Sequence, residues 1–132
     1  MTDAGSGTDG SFVLVCAEDE LWDGEIDAVD LPQGPVLLAR FDGVYRAYQG
    51  HCPHQSVQLV EGALDGAQLT CRGHNWVFDL TTGEGVNPRR ACLARYPVEV
   101  REGDVYVGTT AERPGRDATG VAVAAGAASR VE

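Results

Sequence analysis

Residues 50–78 read GHCPHQSVQLVEGALDGAQLTCRGHNWVF, and their metal-capable side chains stand in two groups. The first is Cys52-Pro53-His54 and the second is Cys71-Arg72-Gly73-His74. Sixteen residues lie between His54 and Cys71, with Asp65-Gly66 near their middle. Asp-Gly between apolar residues is a hairpin signal, and a hairpin returns the chain to where it left. Two loop tips are therefore expected to face each other, each offering one thiolate and one imidazole. Pro53 fixes φ and removes a backbone donor, which stiffens the first tip. Gly50 and Gly73 permit positive φ and close backbone approach beside the tips.

Thiolate and neutral imidazole suit zinc, copper, iron and iron–sulfur clusters. Zinc motifs usually group their ligands as C-x2-C and H-x3–5-H. Here each arm mixes the two types, as C-x-H and C-x2-H, which suits a binuclear centre with two sulfurs on one metal and two nitrogens on the other. A zinc-stabilised binding module is the alternative for the same residues.

Outward from this stretch the chain reads as short strands. Phe12–Ala17 is a β-branched run, and Val36–Phe41 and Val44–Tyr48 flank the hairpin signal Asp42-Gly43. Gln68–Thr70 leads into Cys71, and Trp76–Leu80 ends at Thr81-Thr82-Gly83. Val98 and Val100 alternate with Glu99 and Arg101, the pattern of a half-buried strand, and Gly103-Asp104 turns the chain into Val105–Val107. Ala17–Ile26 is read as a helical turn or two, and the C-terminal tail has room for a short helix. The expected fold is all-β, an antiparallel sandwich or barrel of short strands with a two-loop subdomain. Residues 1–10 are expected to be a flexible tail, 11–108 the domain with its cluster-binding part at about 50–90, and 109–132 a second flexible tail in which ATGVAVAAGAAS carries no amphipathic stripe.

The formal net charge of the 132 residues is -10. All ten basic residues are Arg, and nine acidic but no basic residues fall in the first 30 positions. That charge argues against nucleic acid and against an anionic membrane. It fits a basic partner protein or simple solubility. There is no secretory signal and no run of roughly 18 apolar residues, so the expected compartment is the cytoplasm. There Cys16 and Cys92 are expected to be core thiols rather than a disulfide. His51 falls outside the C-x-H register and is expected to be a surface or supporting residue. Trp22, Tyr45 and Tyr48 are assigned to packing, and Trp76 to cluster shielding or core filling.

The motif residues resemble the Rieske [2Fe–2S] family, over roughly residues 12–108. Cys52, His54, Cys71 and His74 match the signature, and Phe78-Asp79-Leu80-x-Thr82-Gly83-Glu84 matches the usual sequel to the second arm. The resemblance implies one [2Fe–2S] cluster held by those four residues. An oxidised cluster with two thiolates and two neutral imidazoles is uncharged, so it accepts an electron more readily than a four-thiolate one. No cysteines stand near Val57 or Trp76, where respiratory Rieske proteins carry a disulfide. This implies the ferredoxin-like branch.

Cys52-Pro53-His54-Gln55, His74-Asn75-Trp76-Val77-Phe78, Gly85-Val86-Asn87-Pro88, Tyr96-Pro97-Val98-Glu99-Val100 and Leu21-Trp22-x-Gly24-Glu25 are similar to the ferredoxin component of toluene- and alkene-type diiron monooxygenases. That likeness implies an electron-transfer component rather than an enzyme. Its partners would be a flavin-containing NADH reductase and a diiron hydroxylase of hydrocarbon catabolism. The alternatives are a ferredoxin of a ring-hydroxylating dioxygenase, or a Rieske small subunit of a reductase such as nitrite reductase.

Overall fold

The computed structural model describes residues 12–52, 57–72 and 75–119, and the backbone of 122–123. Its strands are β1 (Phe12–Ala17), β2 (Glu25–Leu31), β3 (Gly34–Phe41), β4 (Val44–Gln49), β5 (Ala63–Asp65), β6 (Gln68–Thr70), β7 (Val77–Asp79), β8 (Glu84–Asn87), β9 (Arg95–Tyr96), β10 (Val98–Arg101), β11 (Asp104–Gly108), β12 (Gly115–Arg116) and β13 (Ala122–Val123). They form antiparallel sheets in the orders β9-β4-β3-β2, β10-β11-β1 and β5-β6-β7-β8, with β12 paired to β13. The all-β expectation holds. The stretch Ala17–Ile26 contains no helix; its acidic side chains cap turns instead, with Trp22 N donating to Glu25 Oε1 at 3.0 Å. The single helical turn among the described residues is the 3-10 turn Leu59–Glu61.

β3 explains how the layers fit. Val36, Leu37, Leu38 and Ala39 are all fully buried, because both faces of this strand are covered. Leu37, Ala39 and Phe41 join a core with Leu59, Leu69, Phe78, Leu80 and Leu93. Val36 and Leu38 join a second core with Tyr45, Ala47, Tyr96, Val105 and Val107. A period of two thus sends alternate side chains into two different cores. The β9-β4-β3-β2 sheet is a middle layer between the β10-β11-β1 sheet and the β5–β8 subdomain. Tyr48 on β4 adds a polar tie, its hydroxyl donating to Leu80 O at 2.8 Å.

The turns hold these registers. Asp42 and Gly43 both have positive φ, +56° and +76°, as the two-residue hairpin signal requires. The other two turns sit one residue away from the expected position. Asp65 pairs with Gln68, so the loop is Gly66-Ala67, and Arg101 pairs with Asp104, so the loop is Glu102-Gly103. Glycine serves either central position of such a turn, so its presence alone does not fix the register. Val100 is 45% exposed although its strand is correctly placed, because the outer face of β10 is uncovered at that point.

The expected N-terminal tail, 1–10, lies outside the described residues. Part of the expected C-terminal tail does not. Cys92 and Arg116 exchange backbone bonds at 2.9 and 2.8 Å, and Arg95 N donates to Arg113 O at 2.9 Å. Residues 111–116 form a strap across the segment 92–95.

Leu38→Ala should destabilise the fold by about 2–5 kcal/mol in urea titrations, as expected for a fully buried leucine. Val100→Thr should change it by less than about 0.5 kcal/mol. Burial pushes the Tyr48 and Tyr96 hydroxyls up to about 12. Their unfolded counterparts ionise near 10. Between these values the unfolded chain has shed protons that the folded chain keeps, so stability should fall as pH rises from 10 to 12. Tyr48→Phe should flatten that fall, read from melting temperatures across the range.

Candidate metal centre

The two cysteine-bearing loops are built alike. Cys52 N donates to Val57 O at 3.0 Å, and Cys71 N donates to Trp76 O at 2.6 Å. In each, the cysteine amide closes a loop onto the carbonyl five residues later. Each cysteine leaves a strand-like segment, β4 through Gly50-His51 for Cys52 and β6 for Cys71. Neither thiol is in a disulfide; both are buried, at 1% and 0% residue exposure, and belong to the core of Leu59, Leu69, Phe78 and Leu80. Two buried thiols heading matched loops in one core are a donor set for a soft or borderline metal. A [2Fe–2S] cluster fits this donor set: the thiols are shielded from water, and each loop carries one histidine in its sequence.

His54 and His74, with Pro53 and Gly73, lie outside the described residues. The structure therefore places the cysteine half of the expected ligand set and leaves the histidine half as the sequence has it. No helix among the described residues is long and apolar enough to cross a membrane.

The surroundings hold the loops. Gly50 N donates to Pro35 O at 3.0 Å, and a Cβ on Gly50 would stand 2.7 Å from that oxygen, so the expected close approach is real. Its φ is not positive; proximity rather than backbone conformation requires glycine there. Leu59 N donates to Gly50 O at 2.8 Å, and His51 bridges Gln58, so the first loop closes onto its own base. Half-burial lowers the His51 pKa below its usual 6.5, consistent with a neutral supporting residue.

In the second loop Asn75 takes φ +58°, and its amide donates to Cys71 O at 3.0 Å. Asparagine tolerates this left-handed conformation better than most residues. Trp76 is half-buried against the same core, its ring tilted at 53° to Phe78 with centroids 6.4 Å apart, which is core filling below the loop. Exposed Arg72 pairs with Glu61 at 2.8 Å and so ties the second loop to the 3-10 turn. Exposed ion pairs of this kind contribute little to stability.

A third loop, residues 87–90, lies beside the second loop. Val77 pairs with Asn87, which carries residues 87–90 to the same end of the subdomain as Trp76. Arg89 and Arg90 are exposed there.

Cys16 and Cys92 are free, and neither heads a loop of this kind. Cys16 lies half-buried in β1, its thiol pKa raised by burial and then by Glu20, Asp27 and Asp104. Cys92 is buried under the strap, with Sγ 3.8 Å from Pro114 O. Trp22 departs from its packing assignment; it is 72% exposed, at the turn that faces Arg40 and Asp23.

The family model for the Rieske [2Fe-2S] domain matches residues 11–97. The chain belongs to the Rieske [2Fe–2S] family. Its domain binds a Rieske-type cluster and serves electron transfer. Relatives of this Rieske domain include the ferredoxin component of the alkene monooxygenase system of Xanthobacter autotrophicus. That protein is 49% identical over 100 residues, 74% of this chain and 81% of the relative. The ferredoxin component of the p-cumate 2,3-dioxygenase system of Pseudomonas putida is 35% identical over 73% of this chain and 84% of its own. Among solved structures, the complex of reduced oxygenase and oxidised ferredoxin in carbazole 1,9a-dioxygenase superposes with a TM-score of 0.68. It is 31% identical and covers 76% of this chain and 94% of that one.

Sequence reasoning missed Gln49. Its side chain is buried, donates from Nε2 to His51 O at 2.7 Å, and accepts from Ala94 N at 2.7 Å. The available signal was a polar residue ending an otherwise buried strand one step before Gly50.

Asn75→Val should destabilise the Rieske domain by about 1–3 kcal/mol, because a β-branched side chain resists the left-handed conformation. Asn75→Gly should cost far less, since glycine adopts it freely. Thermal melts of the two variants side by side check this.

Proposed function

We propose that this chain is a Rieske-type ferredoxin that carries single electrons from a flavin-containing NADH reductase to a terminal oxygenase. In this reading Cys52 and Cys71 supply the two thiolates and His54 and His74 the two imidazoles. When bound, the cluster supplies a one-electron couple. The chain's own residues hold it and exclude water from the sulfur side through Leu59, Leu69 and Phe78.

The observation that carries the reading is the pair of buried thiols at the heads of two loops closed in the same way. A mononuclear zinc module would use the same four residue types. However, membership of the Rieske family favours the binuclear reading.

For the acceptor, a ring-hydroxylating dioxygenase has the broader support. The p-cumate and carbazole systems, both dioxygenases by name, include relatives of which this chain covers 84% and 94%. A diiron hydroxylase is the second reading, favoured by the higher identity to the alkene monooxygenase ferredoxin. A reductase subunit of the nitrite reductase kind has less in its favour than either. The reductase is assigned by the chemistry such a relay needs, and the cytoplasm is the compartment in which thiols stay available to a cluster.

The charges sort by position. Glu18, Asp19, Glu20, Asp23 and Asp42 are exposed at the end of β4 where the hairpin turns. Cys52 follows the other end, a strand length of roughly 20 Å away. The acidic end acts on a partner at long range, through the field of the whole molecule, rather than at the cluster tips.

Purified protein should contain iron and acid-labile sulfide in equal amounts. Cys52→Ser, Cys71→Ser, His54→Ala or His74→Ala should each lose them, while Cys16→Ser and Cys92→Ser should keep them. Mixed with a flavin NADH reductase, it should restore product formation by a ring-hydroxylating oxygenase, by a diiron hydroxylase, or by one of the two in preference. One zinc per chain without iron would overturn the cluster ligands. Full cluster content without turnover in either system would overturn the oxygenase partner.

A further inference from the structure

We propose that Gln49, held in place by Gly115 of the C-terminal strap, is a positioning residue for the first cluster loop. It would couple that loop to the segment that follows the third one. The inference rests on the assignment of Cys52 as a ligand.

Tyrosines aside, Gln49 is the one buried polar side chain among the described residues, at 2% exposure. Its orientation is fixed by chemistry. Ala94 N can only donate, so Oε1 must face it, and His51 O can only accept, so Nε2 must face that. The backbone doubles the link, with Gln49 N donating to Ala94 O at 2.9 Å. His51 is the residue immediately before Cys52, so the amide grips the chain at the entry to the first loop.

On its other side the segment 91–94 is tied to the third loop. Gly85 N donates to Ala91 O at 2.7 Å, and Leu93 N donates to Gly83 O at 2.7 Å. One side chain therefore joins the base of the first loop to the base of the third.

The strap presses on that side chain. A Cβ on Gly115 would fall inside van der Waals contact of Gln49 Oε1, and would stand 3.0 Å from Ala94 N and 3.2 Å from Cys92 O. The strap is in turn pinned on both sides. Arg116 and Cys92 exchange backbone bonds, and the Arg113 guanidinium donates to Leu93 O at 3.0 Å and to Thr82 O at 3.1 Å. Glycine at 115 lets the strap lie flat on the amide; any side chain there would push the amide off its two partners. Groups that orient the ligands of a metal site tune both its retention and its electronic character.

The test uses the full cluster-loaded chain and two variants. Gln49→Met keeps length and volume but removes both side-chain bonds. Gly115→Ala leaves Gln49 intact but crowds its oxygen. Each should lose the cluster to a chelator roughly tenfold or more faster than the parent. Each should also shift the cluster's reduction potential and its electron paramagnetic resonance g-values, readouts that a role in stability alone would leave unmoved.

Parent-like loss rate, potential and g-values in a folded Gln49→Met or Gly115→Ala would overturn the inference. Cluster retention in Cys52→Ser would overturn it together with the ligand assignment, whereas cluster loss there beside a parent-like Gln49→Met removes only the positioning role. If neither variant folds, hydrogen exchange in the parent decides. An Ala94 amide that exchanges only on global unfolding supports the link, and one that exchanges as fast as an exposed loop overturns it.

Discussion

Two backbone hydrogen bonds, Cys52 N to Val57 O and Cys71 N to Trp76 O, govern where the chemistry of this chain sits. Each uses the cysteine's own amide, so the backbone that carries the thiol cannot move without breaking the closure of its loop. A buried amide left unpaired is costly, on the order of 1–3 kcal/mol, and the closure is correspondingly firm. Both loops close at the same interval, from the cysteine amide to the carbonyl five residues on.

The loops need a rigid floor, and the middle sheet provides it. β3 is buried on both faces, so its alternate residues weld the β10-β11-β1 layer and the β5–β8 subdomain into one unit. Tyr48 and Gln49 are neighbours on β4 with complementary tasks. The first reaches up to Leu80 in the subdomain, and the second grips His51 at the entry to the first loop. An electron carrier gains from such stiffness, since a cluster whose surroundings barely rearrange between oxidation states exchanges electrons quickly.

Much of this was legible in the residues. The strands β1, β3, β4, β6 and β7 follow from β-branched runs and period-two patterns, and the Asp42-Gly43 turn from the positive φ that its type demands. The Rieske family follows from two short motifs at the right distance. β2 was hidden because EIDAVDL places acids among its apolar residues, beside a turn whose Leu21-Trp22 pair mimics the start of a helix. The strap was hidden because main-chain bonds to Cys92 and Arg95 hold it, and those leave no side-chain pattern. Gln49 was hidden because a glutamine reads as surface until its burial and both its partners are known. Trp22 was misassigned for the converse reason: size suggests packing, but the turn that carries it points outward.

The central claim is that one iron carries two sulfurs from Cys52 and Cys71 and its neighbour carries two ring nitrogens from His54 and His74. Pulsed electron paramagnetic resonance of the reduced protein tests it most directly. Two strongly coupled nitrogens should appear, and uniform labelling of histidine with nitrogen-15 should convert both signals. A cluster spectrum with no such coupling, or with a single nitrogen, would contradict the account.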